Sequence, residues 1–296
     1  MAISSIGVGS GLPLEDLLKN LRNSENQSLA LIQSRATTVQ NRLSGYGTIK
    51  SSIEALKTAS EALGKAETFG ALKTSVNNEA FTATATAKAI AGQYSVEVLN
   101  LASPQTLMGA SQADRSTVLA TDAVDTVKIK VELVDGTFKE ITLNKADTSL
   151  EGIAKAINGE SGAGVSATLI QGTKAGDASP SHHLLLTAKK TGDQAAVKTI
   201  TVEGSAALQS AIGFTTAAPG TFTETAAQNA SLSINGIKVE SQSNTVENGI
   251  DGVTLNLVKK TTEAAVMTLT KDNTVASKAI DTFVSAYNNL QNIIKT

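Results

Sequence analysis

Cysteine is absent from the 296 residues, which excludes disulfides, thiolate catalysis and cysteine-ligated zinc in one step. Tryptophan is absent too, and with only three Tyr and six Phe the apolar cores must be thin and built from aliphatic side chains and alanine. No run reaches the about 18 apolar residues of a membrane helix. The opening MAISSIGVGSGLPLEDLLKNL has neither the cationic start nor the sustained apolar centre of a cleaved signal peptide. Any export is therefore expected to spare the N-terminus, and no membrane insertion is expected. Nor is there an excess of one charge: 25 Lys and Arg stand against 27 Asp and Glu, so no strong field draws in nucleic acid.

What is present begins with a long helical pattern. Leu14, Leu17, Leu18 and Leu21 fall at i, i+3, i+4 and i+7 behind Pro13, a residue suited to a first helical turn. Leu29, Ile32, Ala36, Val39, Leu43 and Tyr46 then step alternately by three and four, and Ile53, Leu56 and Leu63 resume after the polar Lys50. Arg35, Gln40, Arg42, Lys57 and Glu61 lie off this seam, so one narrow stripe is apolar and the rest of the circumference is solvated. A stripe about 50 Å long must lie against another helix to leave water. At the other end of the chain Val275, Ala279, Phe283, Tyr287, Leu290 and Ile294 repeat the spacing, which predicts a second helix running antiparallel to the first. The last residue arrives in mid-helix with no capping signal, so the chain reads as truncated.

Between these helices Ala, Thr, Ser, Gly and Val take over. Phe81, Ala83, Ala85 and Ala87 alternate with threonines, and Tyr94, Val96 and Val98 alternate after Gly92, both as strands do. Leu232 and Ile234, then Asn235-Gly236, then Ile237 and Val239 spell a hairpin with a type I′ turn and four apolar side chains on one face. Val253, Leu255 and Leu257 add a strand. Ile129, Val131 and Leu133 turn at Asp135-Gly136 into Ile141 and Leu143, but a two-residue turn would put the returning residues on the wrong face, so a longer loop or a bulge is expected. Thr148 and Glu151 form a capping box ahead of a short helix carrying Leu150, Ile153, Ala154 and Ile157 and ending near Gly159. Val165 to Leu169, Leu184 to Leu186 and Val197 to Val202 supply further strands. The fold class is α+β: long terminal helices forming an antiparallel coiled-coil leg, with a β-rich head in two domains between them.

A search for reaction chemistry finds little. His182 and His183 are the only histidines, and adjacent residues on a strand face opposite ways, so they read as part of a solvated loop beside Pro180 and not as a metal site. Gly7, Gly9 and Gly11 follow no strand and precede no Gly-Lys-Ser/Thr, so they read as a flexible entry to the first helix and not as a phosphate loop. No paired carboxylates and no Ser-His-Asp pattern appear in a supporting context. Neither a catalytic residue, a metal nor a cofactor is expected. The heptad stripe has two readings, an intrachain hairpin and packing between subunits, and one helix can serve both on different sides.

Several segments resemble the flagellar filament cap family, the hook-associated proteins 2. They are Gly9-Ser10-Gly11-Leu12 running into Leu17-Leu18; Ala91-Gly92-Gln93-Tyr94-Ser95-Val96-Glu97-Val98 with Gln105-Thr106-Leu107; Ile153-Ala154 with Ala156-Ile157-Asn158, similar to a motif shared with flagellins; and Ala230 to Gly236 with Ile250 to Leu255. The resemblance implies a protein exported unfolded through the flagellar apparatus to the filament tip, outside the cell. There it would form a homo-oligomeric ring that retains flagellin monomers until they fold and insert. It further implies residues 1–66 with 273–296 as the leg, 67–112 with 226–272 as one head domain, and 113–225 as a domain inserted within it. Implied partners are further copies of the chain, flagellin, the hook-filament junction protein and an export chaperone. Leu14, Leu17, Leu18 and Leu21 are assigned to leg contacts with flagellin or neighbouring subunits. Leu29, Ile32, Val39, Leu43, Tyr46, Ile53, Leu56, Phe283, Tyr287 and Leu290 are assigned to the coiled coil. The alternatives are an adhesin whose head binds host mucin or glycans, though few aromatics offer a sugar-stacking platform, and another axial protein of the flagellum.

Overall fold

The computed structural model describes residues 14–173 and 179–295. The early glycines, Gly9 to Leu12 and Pro13 lie outside the described residues, as does the side chain of Leu14. The chain divides into two compact units, Met1–Phe69 with Asn273–Thr296 and Gly70–Asp272. The described helices are α1 (Leu14–Leu63), α2 (Ala66–Phe69), α3 (Leu150–Gly159), α4 (Ala206–Ile212) and α5 (Asn273–Lys295). Long terminal helices flanking a β-rich middle are what the periodicity predicts.

The first half of the strands comprises β1 (Leu72–Val76), β2 (Phe81–Ala85), β3 (Gly92–Asn100), β4 (Thr106–Met108), β5 (Thr126–Leu133), β6 (Phe138–Asn144), β7 (Val165–Gly172) and β8 (Ser181–Ala188). The remainder are β9 (Val197–Glu203), β10 (Phe214–Thr215), β11 (Thr223–Thr225), β12 (Ala230–Ile234), β13 (Ile237–Ser241), β14 (Thr245–Ile250), β15 (Val253–Leu257) and β16 (Ala265–Lys271). A sheet ordered β1-β16-β3-β12-β13 and a second ordered β14-β15-β2 enclose one core, centred on Phe81, Val96, Val98, Leu232, Leu255 and Met267. Sheets ordered β10-β9-β5-β6 and β11-β4-β8-β7, with α3 and α4, enclose another, centred on Ile129, Ile153, Leu184, Ile200, Leu208 and Phe214. β4 carries Leu107 into this second core by pairing with β8 and β11, although the sequence groups residues up to 112 with the first head segment.

Turn chemistry sets the registers. Asn235 (φ 49°) and Gly236 (φ 85°) both adopt the left-handed conformation that a type I′ turn demands, and Ile234 pairs with Ile237 and Leu232 with Val239. Leu232 and Ile234 are buried, but Ile237 is exposed because β13 is the sheet edge and no described residue covers its tip. In the hairpin of β5 and β6 the residues Val134-Asp135-Gly136 form a three-residue loop, pairing Val131 with Lys139 and Ile129 with Ile141. The longer loop restores both apolar sets to one face. The expected capping box is displaced by one residue: Ser149 caps α3 by accepting from the Gly152 amide. Thr148 is wholly buried, accepting from the Ala120 amide and donating to the Lys145 carbonyl, while Glu151 faces Arg115 at 3.8 Å. The histidines are also better placed than a loop would place them. Both lie on β8; the Nδ1–H of the 3%-exposed His183 donates to the Gly109 carbonyl at 3.2 Å, and its Nε2 lies 3.1 Å from the Ser181 hydroxyl.

With so few aromatic rings, side-chain amides tie segments where the strand ladders stop. Asn158, at the end of α3, donates to the Ala167 carbonyl and accepts from its amide at 2.7 and 2.9 Å. Asn244 grips Ala102 in the same two-bonded way. Buried Gln105 accepts from the Val197 amide at 2.7 Å and donates to Glu224 at 2.6 Å. Two of the family-like segments thus contain a residue that completes a backbone pairing, Asn158 and Gln105. The two cores meet at a polar seam, where Gln242 donates to Asp193 and accepts from the Gln194 amide. Gly192 (φ 89°) lies there with the Gln242 carbonyl oxygen 2.6 Å from where a Cβ would stand, so a side chain would clash with backbone in a conformation that already favours glycine.

Candidate interaction surface

α1 carries the candidate surface, and its exposure changes along its length. From Asp16 to Thr48 every described residue of the helix is exposed; Leu17 is 65% exposed, and Leu29, Ile32, Val39 and Leu43 are likewise open. Cover begins at Ile49 and continues through Ser52, Leu56, Ala59 and Leu63, stepping three, four, three, four. On α5 the partly buried face is Ala276, Ala279, Phe283, Ala286, Leu290 and Ile293, with the same rhythm. Ala59 and Ala62 share a groove with Thr274, Val275, Lys278, Ala279 and Thr282, so the end of α1 lies by the start of α5 and the two run antiparallel.

The packed faces are not quite those the apolar spacing selects. Of the assigned coiled-coil residues, the structure brings Leu56, Phe283 and Leu290 into the contact between the helices. It leaves Leu29, Ile32, Val39, Leu43, Tyr46, Ile53 and Tyr287 exposed. Ile49, Ser52, Ala59, Ala276 and Ala286 take the remaining contact positions. Small side chains let two helices approach closely, whereas a reading that follows the largest apolar residues passes over them. Leu17, Leu18 and Leu21 lie together on the open part of α1, available to a partner.

The middle unit is described over residues 70–173 and 179–272. There is no group of three or more His, Cys, Asp or Glu side chains placed to hold a metal ion among them, and the concavities are open grooves along strand edges and beside α3. Its perturbed carboxylates have structural causes. Asp122 is held below the ordinary value of 3.8 by the Ser205 hydroxyl first and then by the Ala207 amide, where it caps α4. Asp193 is lowered chiefly by its bond from Gln242. A carboxylate whose folded pKa is depressed adds stability above its unfolded pKa and loses it as pH falls through the folded one. Thermal melts are therefore expected to be nearly flat from about pH 7 to 5 and to fall below about pH 4. The melting difference between the native chain and Asp122→Asn should shrink between pH 7 and pH 3; a constant difference would contradict the assignment.

No described helix is long and apolar enough to cross a membrane. Comparison with known proteins matches residues 10–105 to the family model for the flagellar hook-associated protein 2 N-terminus and residues 227–296 to that for its C-terminus. The crystal structure of the Escherichia coli flagellar cap protein FliD, domains D1 to D3, superposes with a TM-score of 0.78 at 36% identity, over 86% of this chain and 69% of that one. The chain belongs to the flagellar hook-associated protein 2 family. Relatives of that name from Escherichia coli K12 and Salmonella typhimurium are 37% and 39% identical, each over 98% of this chain. The chain spans about three fifths of their length, 60% and 61% respectively. Hook-associated proteins 2 are structural proteins of the flagellum, not enzymes, and the mixed architecture with long terminal helices is theirs. The family match covers the first head strands and the closing head segment, but neither family model extends over residues 106–226.

Proposed function

We propose that the protein caps the distal end of the bacterial flagellar filament, outside the cell, as a ring of identical subunits that holds incoming flagellin until it folds and inserts. The observation that carries this reading is the uncovered apolar edge of α1 from Leu17 to Tyr46, in a chain similar over 86% of its length to a flagellar cap protein. Such an edge suits a contact that must form and release repeatedly, since a narrow stripe holds a partner more weakly than a broad apolar interface. Leu14, Leu17, Leu18 and Leu21 contact flagellin or a neighbouring subunit, and of the coiled-coil residues Leu56, Phe283 and Leu290 hold the two described helices together. The head comprises 67–112 with 226–272 and the inserted 113–225; the two separate apolar cores support this division. The hook-filament junction protein and an export chaperone complete the partner set.

The test is complementation of a cap-deficient strain with the full-length protein carrying Leu17→Asp and Leu18→Asp. Both side chains are exposed, so folding should be untouched while an apolar contact is replaced by charge. Filaments are expected to be short or missing, with unpolymerised flagellin in the medium. Filaments of normal length would remove the leg from the capping contact.

A further inference from the structure

Asparagine stands directly before glycine three times, at Asn158-Gly159, Asn235-Gly236 and Asn248-Gly249. That dipeptide carries chemistry of its own. The backbone nitrogen that follows an asparagine can attack the side-chain carbonyl carbon, and a glycine leaves this nitrogen unscreened because it has no Cβ. The attack needs a side chain free to rotate and a backbone free to depart from the regular helix or strand that keeps the two atoms apart.

Two of the three are held away from it. Asn158 lies in the last turn of α3 and commits both ends of its amide to Ala167, donating to the carbonyl at 2.7 Å and accepting from the backbone amide at 2.9 Å. Asn235 is exposed at the tip of its hairpin, so exposure alone would place it among the first to react. Its Oδ1, however, accepts from the Ser95 amide at 2.8 Å, and its own amide donates to the Ser95 carbonyl at 2.9 Å. Side chain and backbone are fixed together. Asn248 is exposed as well, but its side chain has no hydrogen-bond partner among the described residues. It also stands in a bulge: between Val246, which pairs with Leu255, and Ile250, which pairs with Val253, the residues 247–249 of β14 face Thr254 alone. Packing, not a turn, demands the glycine that follows. A Cβ on Gly249 would stand 3.0 Å from Ile234 Cδ1 and 3.3 Å from Val246 Cγ1. The core that crowds out a side chain at 249 thereby keeps the attacking nitrogen unscreened.

The geometry points to Asn248 as a site of spontaneous covalent modification, passing through a succinimide to aspartate and isoaspartate. The Gly249 nitrogen bonds to Asn248 Cγ while the side-chain nitrogen leaves as ammonia, carrying off the proton of the Gly249 N–H. Water then adds to one of the two imide carbonyls, and the ring opens there. Opening at Cγ leaves aspartate; opening at the main-chain carbonyl leaves isoaspartate, in which the chain runs through Cβ and Cγ. Water is the one co-reactant. Either product sets a new carboxylate beside Glu247, and isoaspartate lengthens β14 within its bulge.

The test incubates the whole chain in mildly alkaline buffer, folded and urea-unfolded side by side, and follows the three sites by peptide mass spectrometry. In the folded chain Asn248 is expected to convert at least about tenfold faster than Asn158 or Asn235, whose reaction must first break hydrogen bonds. In the unfolded chain the three should react at similar rates. Isomerisation at the nearby Asp251-Gly252 leaves the mass unchanged and so is not mistaken for loss of the amide. Asn248→Gln should remove most of the acidic species that ion exchange resolves from the aged folded chain, because the longer side chain closes a less favourable ring. Similar rates at the three sites in the folded chain would overturn the inference, as would earlier conversion at Asn158 or Asn235. So would an Asn248 that reacts only when the chain is unfolded.

Discussion

Replacing Phe214 with alanine is expected to lower the stability of the second head core by about 3–5 kcal/mol, the cost of deleting a fully buried aromatic side chain and leaving the space unfilled. Phe214 is 1% exposed, and its ring meets that of Phe222 edge to face, with centroids 6.3 Å apart and planes at 88°. It cannot be replaced easily from its surroundings. β10 is pinned by pairing Phe214 with Ile200, and α4, which supplies Leu208 and Ile212, is fixed at its start by Ser205 and Asp122. A wall held at both ends relaxes little into a cavity. Phe81, Val98 and Leu232 belong to the other core, so urea denaturation followed at two sites should show the transition reporting on Phe222 moving while that reporting on Leu255 moves less. A loss below about 1 kcal/mol would mean that the wall closes over the gap.

None of this was visible in the sequence, and the reasons are physical. Phe214 stands in no alternating run, because β10 is two residues long and is set by its pairing with β9. α4 itself is a seven-residue helix whose start depends on Asp122, more than eighty residues earlier in the chain. By contrast, the hairpin at Asn235-Gly236 was legible because one dipeptide sets both turn conformation and register, and the hairpin around Asp135 because side-chain parity excludes the shorter loop. β16 could have been found: Ala265, Met267 and Leu269 alternate as buried residues, but Val266 on the open face blurs the contrast. The displaced cap shows a finer limit. Thr148 and Ser149 offer the same hydroxyl to the same helix, and what separates them is the buried Ala120 amide that claims Thr148. On the leg, existence, length and direction of both helices followed from period alone, while the contact face did not, because alanine and serine carry little weight in a hydrophobic pattern and much in close packing.

That difference of face is open to a direct comparison of Phe283→Asp with Tyr287→Asp. The two positions are four residues apart and both belong to the seam drawn from apolar spacing, which predicts that either charge separates the helices. In the structure only Phe283 lies in the packed row, and Tyr287 is 47% exposed in the neighbouring stripe. A carboxylate at 283 loses part of its hydration in the partly buried row, at a cost of about 1–3 kcal/mol, whereas at 287 it stays hydrated and should cost about 0.5 kcal/mol or less. An isolated helix of the 23 residues of α5 is marginal in water, so once released it should melt. Phe283→Asp is therefore expected to remove the far-ultraviolet helical signal of α5 and part of that of α1 beyond Ile49, leaving the β-rich unit folded because it is a compact unit of its own. Tyr287→Asp should leave the spectrum unchanged. Equal loss of helix in both variants would return the contact to the phase read from apolar spacing.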